Sequence, residues 1–65
     1  MALILLRDVK QGRGRVINTC NIFHAVEVEG GVRVNYTEGS IGRDHIVIAG
    51  TLEDFAKAVE ALHVG

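Results

Sequence analysis

Hydrophobic residues in this chain occur in short runs in which apolar and polar positions alternate, and glycines separate the runs. Alternation with period two is typical of half-buried β-strands, and the β-branched residues in these runs favour the same structure. The pattern predicts five strands, at about residues 2–8, 15–18, 22–28, 32–38 and 44–49. Because no linker or repeat interrupts them, we expect residues 1–65 to form a single domain.

A helical spacing follows the last predicted strand. Apolar residues recur there every three or four positions, at Leu52, Phe55, Val59 and Leu62. This spacing predicts an amphipathic helix over residues 51–63, with Thr51 as its N-terminal cap. The expected fold is therefore mainly β: a small, strongly bent five-stranded antiparallel sheet or barrel with one C-terminal helix.

The third and fourth predicted strands form a hairpin whose register is suggested by its valines. If residues 29–31 form a three-residue loop, the valines of both strands lie on one face and His24 lies opposite Tyr36. A two-residue loop would instead place each valine opposite a polar residue. We therefore expect the three-residue loop, with His24 and Tyr36 as a small aromatic pair.

The first predicted strand is apolar at every position from Ala2 to Leu6, so both of its faces need cover. The C-terminal helix can cover one face, and a second copy of the chain can cover the other. A domain of about 60 residues buries only ~60% of its unfolded surface, and association is one way to compensate. Edge strands without proline also favour pairing between copies. We expect a homo-oligomer, in the form of a closed ring.

Composition excludes several classes of protein. With one cysteine the chain cannot form an internal disulfide framework, and with 48% hydrophobic residues it is not expected to be disordered. The apolar run at residues 1–6 is much shorter than the ~20 residues of a membrane span. It also lacks the basic start and the cleavage site of a signal peptide. A cytoplasmic location without a membrane partner is expected.

Positive charge is concentrated near the start of the chain. Residues 1–15 contain four basic residues and one acidic residue, a net charge of +3, whereas the other fifty contain three basic and seven acidic residues, a net charge of −4. Glycine and arginine alternate over residues 12–15, which predicts a flexible loop in which Arg13 and Arg15 contact phosphate groups. The alternative is a solvated loop whose arginines pair with acidic residues elsewhere.

Two further groups of residues bear on function. His24 and Tyr36 could stack on the bases of a single strand, and His45 is a further candidate, although packing in the core is the alternative. Cys20 and His24 could serve as a nucleophile and its base, but a cysteine in a polar turn more commonly packs inward. The cysteine and the histidines are too scattered for a zinc site. No enzymatic activity, metal or cofactor is expected.

The chain resembles a family of small bacterial flagellar proteins, the FlbD/SwrD-like proteins, and related short phage sequences, from Val16 to Leu62. The shared features are Ile17-Asn18, Ile22, Gly31-Val32, Ile46-Val47-Ile48 and Leu52-Glu53-Asp54-Phe55 with Val59. Thr19 stands where the family usually has proline. This resemblance implies no catalytic residues, and it implies a protein-interaction or structural accessory role of flagellar or phage type.

The proportions of the chain are also similar to those of the Sm-like proteins, which are small RNA-binding barrels. The segment Ile41-Gly42-Arg43-Asp44 is similar in place and composition to the Arg-Gly loop of that family, with the two residues in reverse order. The resemblance implies RNA contacts by Arg43 together with Asn18 or Asn35. Two functions are therefore expected as alternatives: a ring that binds RNA or single-stranded DNA, and an interaction module without nucleic-acid binding.

Overall fold

The computed structural model describes residues 2–39 and 42–63 of the chain. Its strands are β1 (Leu3–Arg7), β2 (Gly14–Asn18), β3 (Ile22–Val28), β4 (Gly31–Glu38) and β5 (Gly42–Ile48), and its helix is α1 (Leu52–His63). A single 3₁₀ turn, Thr19–Asn21, joins β2 to β3. The prediction of a mainly β fold with five strands and one C-terminal helix is confirmed.

The five strands form two antiparallel sheets. One is the ribbon β1-β2, and the other has the order β3-β4-β5. Where β1 ends, a backbone hydrogen bond from the Val9 amide to the Val47 carbonyl (2.9 Å) joins the two sheets. Within residues 2–39 and 42–63 the strands therefore do not form the single five-stranded sheet or the closed barrel.

The core lies between the two sheets and the helix. Among the described residues it includes seven buried apolar side chains: Leu6, Ile17, Val32, Val34, Tyr36, Ile46 and Phe55. Strand β4 contributes three of them at alternate positions, because successive side chains of a strand point to opposite faces. The central strand of the larger sheet is therefore also the centre of the core.

Helix α1 begins as the sequence predicts. The Thr51 hydroxyl oxygen accepts a hydrogen bond from the Asp54 amide (3.1 Å), which satisfies one free donor of the first turn. Phe55 is buried, and Leu52 and Val59 pack against the core, whereas Leu62 is 44% exposed. The predicted apolar stripe therefore holds for its first three members. None of the described helical segments is long and apolar enough to span a membrane.

The two faces of β1 have different surroundings. Leu6 is buried and Ile4 packs against the core, whereas Leu3 and Leu5 are 57% and 56% exposed on the opposite face. The predicted division of this strand between two faces is confirmed. The face of β1 that carries Leu3 and Leu5 has no cover within the described chain.

The predicted register of the β3–β4 hairpin is wrong by one residue. Val28 pairs with Gly31, so the loop consists of Glu29 and Gly30 alone. Glu29 has a negative φ and Gly30 a positive φ (+89°), as the two central residues of a type II turn do. A Cβ at Gly31 would lie 2.0 Å from the Ile48 carbonyl oxygen, so only glycine lets β4 approach β5 this closely.

A β-bulge explains the error. Ile22 pairs with Tyr36, and His24 pairs with Asn35, so Phe23 is an extra residue on β3. After the bulge, the residues expected on the inner face lie on the outer face instead. The predicted pairing of His24 with Tyr36 does not form, and the two side chains belong to opposite faces of the sheet.

Candidate nucleic-acid interface

The outer face of the β3-β4-β5 sheet carries a row of polar side chains. Asn35 on the central strand pairs with His24 on one side and with His45 on the other. Directly paired residues of antiparallel strands project from the same face, so these three side chains lie next to one another. Arg33 lies two residues before Asn35 and therefore on the same face.

The bulge places an aromatic ring at one end of this row. Phe23 is 52% exposed, and the guanidinium carbon of Arg43 lies 5.0 Å from its ring centroid. An arginine at this distance over an aromatic face makes a cation–π contact. We use the name outer face for the surface formed by Phe23, His24, Arg33, Asn35, Arg43 and His45, which line one shallow depression with Asp44.

The outer face is positively charged. Arg33 and Arg43 are both exposed, and Asp44 is the one acidic residue that lines the same depression. The Asp44 carboxylate is already engaged, since it accepts the His45 amide (2.7 Å) and lies 3.5 Å from the Arg15 guanidinium. An anion on this surface would therefore meet two arginines and little opposing charge.

Arg15 and Tyr36 form a separate cluster on the inner side of the sheet. Arg15 donates to the Tyr36 hydroxyl and also lies within 3.3 Å of Glu38 and 3.5 Å of Asp44. The pKa of Arg15 is raised, chiefly by Tyr36. Burial raises the pKa of Tyr36, although Arg15 acts in the opposite direction. Arg15 is thus paired with acidic residues, as the alternative interpretation of the sequence expected.

The Tyr36 ring is 2% exposed, so it offers no free face to a base. Asn18 caps the 3₁₀ turn, where its side-chain oxygen accepts the Cys20 amide (3.0 Å). Both residues were predicted from the sequence as nucleic-acid contacts. In the structure their side chains serve the core and a turn.

Arg13 lies in a loop that was expected to be flexible but is closed by hydrogen bonds. The Asp8 amide donates to the Arg13 carbonyl (3.0 Å), and the Asp8 carboxylate accepts the amides of Lys10 and Gln11. The Gln11 and Lys10 bonds lower the pKa of Asp8. Arg13 itself is exposed, and it lines a second depression that His45 also borders.

The structure thus gathers four of the predicted residues on one surface: His24, Asn35, Arg43 and His45. Arg43 belongs to the segment 41–44 that is similar to the Arg-Gly loop, and Ile41 of that segment lies outside the described residues. Phe23 and Arg33 were not among the residues predicted from the sequence. The alternation of β4 could have identified Arg33, because Val32 and Val34 on either side of it are buried. Nothing in the local pattern indicated the bulge that exposes Phe23.

The histidine, cysteine and acidic side chains can also be compared with the predictions for metal binding and for Cys20. Across residues 2–39 and 42–63, no three histidine, cysteine, aspartate or glutamate side chains come together as metal ligands do. Cys20 is a free, exposed thiol rather than the inward-facing residue that the sequence suggested.

Comparisons of the chain with protein-family models, curated proteins and solved structures found no match. The FlbD/SwrD-like and Sm-like resemblances therefore stay predictions.

Proposed function

We propose that the protein is a non-enzymatic module that binds single-stranded RNA or DNA on the outer face and acts as a homo-oligomer. The observation that carries the proposal is the half-exposed Phe23 ring beneath Arg43, at the end of the His24–Asn35–His45 row. Exposed aromatic rings on a sheet, flanked by arginines and polar side chains, are a common platform for unpaired bases.

Each group on the outer face has a distinct role in this proposal. Phe23 stacks on a base, and Arg43 either covers that base or turns to a phosphate. Arg33 contacts a second phosphate, and Asn35 with the two histidines donates to and accepts from base edges. A duplex hides its base faces, so an exposed aromatic ring favours a single strand.

Arg13 extends the proposed path of the backbone. It lines the depression next to the outer face, and His45 borders both depressions. A strand that leaves the outer face past His45 would bring a phosphate to Arg13. Arg15 is assigned no such contact, because Glu38 and Asp44 already neutralise its charge.

Fluorescence anisotropy with labelled oligo-U and oligo-A between 50 and 300 mM salt tests the proposal. Phe23→Ala should cost ~1–3 kcal/mol, with little change in the salt dependence, because it removes a stack and no charge. Phe23→Tyr, which keeps the ring, is the control for stacking. Arg33→Gln should reduce the log–log salt slope by ~0.7, because it removes one phosphate contact. Arg43→Gln should weaken binding whether Arg43 covers the base or contacts a phosphate.

Lys57→Gln is the matched control for charge, since Lys57 is an exposed cation on α1 and does not line the depression of the outer face. It should leave both the affinity and the slope nearly unchanged. Absence of binding at 50 mM salt contradicts the proposal, as does an equal effect of the Lys57 and Arg43 substitutions.

An interaction module without nucleic-acid binding is the second candidate function. It is favoured by the exposed apolar residues Leu3, Leu5 and Val16 on the β1-β2 ribbon, because exposed apolar patches on small proteins commonly mark contact sites. If anisotropy shows no nucleic-acid binding, this candidate becomes the leading one.

A further inference from the structure

The outer side of the β1-β2 ribbon presents an apolar surface. Leu5 pairs with Val16, and Leu3 pairs with Asn18, so Leu3, Leu5 and Val16 project from the same face. Their exposed fractions are 57%, 56% and 59%. We use the name ribbon face for the surface formed by these three side chains.

We propose that the ribbon face binds the ribbon face of a second copy, so that two chains form a two-fold symmetric dimer. The inference rests on the homo-oligomer part of the proposed function and does not depend on its nucleic-acid part. The burial of apolar surface drives the contact.

A second copy is the occupant that best fits this surface. A head-to-tail contact between copies needs a different complementary surface on the same chain. The remaining large apolar residues exposed in the described ranges are Val9, Phe23 and Leu62, one each on a loop, on β3 and on α1. They are too scattered to match the ribbon face, whereas a two-fold contact pairs the ribbon face with itself.

The charges around the ribbon face allow this arrangement. Its three residues are uncharged, and the nearest charged residue of the same face is Arg7, opposite Gly14 at one end of the ribbon. The Arg7 guanidinium donates to the Gly12 carbonyl of its own chain (3.3 Å). When two ribbons pack in opposite directions, their Arg7 side chains lie at opposite ends, so the two cations do not meet.

The ribbon is also built to present Leu5 at the centre of the contact. A Cβ at Gly14 would lie 3.1 Å from the Leu5 Cδ1 atom, so Leu5 covers Gly14 and lies flat on the ribbon. Three partly exposed side chains bury less area than the ~800 Å² per partner of a standard interface. The dimer is therefore expected to dissociate on dilution.

Sedimentation velocity of the full chain, free of nucleic acid, over a wide range of concentration tests the proposal. The expected result is a shift from the mass of one chain to that of two as concentration rises. Leu5→Glu should raise the dimer dissociation constant by at least about tenfold, because it places two carboxylates near the symmetry axis.

Leu62→Glu introduces the same charge at an exposed leucine outside the ribbon face, and it should leave the dissociation constant unchanged. Val16→Thr keeps the β-branched shape that favours a strand and should weaken the dimer without unfolding it, as circular dichroism can verify. A single-chain mass at every concentration would overturn both this contact and the homo-oligomer. Association that Leu5→Glu leaves unchanged, or a mass above the dimer, would overturn this contact alone. Neither result depends on the outcome of the anisotropy measurement.

Discussion

Tyr36 connects the core to the charged cluster of Arg15, Glu38 and Asp44 on the inner side of the larger sheet. Its ring lies among buried apolar residues, while its hydroxyl accepts a hydrogen bond from Arg15. Burial disfavours the charged phenolate, and this effect exceeds the opposing attraction of Arg15. The hydroxyl is therefore held in its neutral form, and Arg15 retains its contacts with Glu38 and Asp44.

The first prediction concerns the ionisation of this side chain. The pKa of Tyr36 should lie above its ordinary value of 10.0 in the folded protein and return toward it in urea. The folded state then binds the phenol proton more tightly than the unfolded state, so the contribution of Tyr36 to the free energy of unfolding should be constant well below pH 10.0 and should be lost as the pH rises through the raised pKa.

The ultraviolet absorbance of the phenolate isolates this group, since the chain has one tyrosine and no tryptophan. Arg15→Gln should raise the pKa of Tyr36 further, because Arg15 lowers it. A tyrosine that titrates at its ordinary pKa in the folded protein, or a lower pKa in Arg15→Gln, would contradict this account.

At the scale of single residues, the sequence identified candidates better than it identified their surroundings. Arg13, Arg15, His24 and Arg43 were selected by residue type, and all four are exposed. Which of them are free to bind depends on Glu38 and Asp44, which approach Arg15 only in the folded chain. Sequence spacing contains no information about such distant pairing.

The β3–β4 hairpin shows at the scale of elements where the sequence is sufficient and where it is not. The bounds of both strands were predicted to within one residue. Their register was not, because the bulge at Phe23 shifts the faces of all later residues of β3. The register predicted from the valines requires an uninterrupted ladder, and a bulge in an edge strand leaves no clear mark in a pattern of period two.

The second prediction tests the tight contact between β4 and β5 at this hairpin. Gly31→Ala should lower the free energy of unfolding by roughly 2 kcal/mol or more, because the new methyl group would overlap the Ile48 carbonyl oxygen. Urea unfolding followed by circular dichroism measures the loss.

Gly30→Ala is the control at the neighbouring position. Its φ is +89°, but no atom lies within 4 Å of the added Cβ, so its cost is limited to the ~1–2 kcal/mol of an unfavourable backbone conformation. If Gly30→Ala proves more destabilising than Gly31→Ala, the described approach of the two strands is wrong.

At the scale of the whole molecule, local patterns predicted the elements, and long-range contacts decided their assembly. The helix, its cap and the two faces of β1 follow from spacing within a few residues. The separation of the strands into two sheets does not follow from local spacing. It depends on whether β1 forms a ladder with β5, and these strands are far apart in the sequence. The sheets share a core through Leu6 and Ile17, which face the larger sheet from the ribbon.

The backbone bond between Val9 and Val47 has a consequence for the way the molecule opens. Among the described residues no strand ladder joins the ribbon to the larger sheet, so the ribbon can separate without breaking the ladders of that sheet. Amide hydrogens in the β1–β2 ladder should therefore exchange with deuterium faster than that of Val34, which requires global unfolding. Native-state exchange followed by NMR measures both rates, and equal protection in the two sheets would contradict this expectation. If the ribbon exchanges faster, the protein samples a partly open form in which the inner sides of Leu6 and Ile17 reach solvent while the outer face stays intact. The ribbon and the larger sheet are then two cooperative units of different stability.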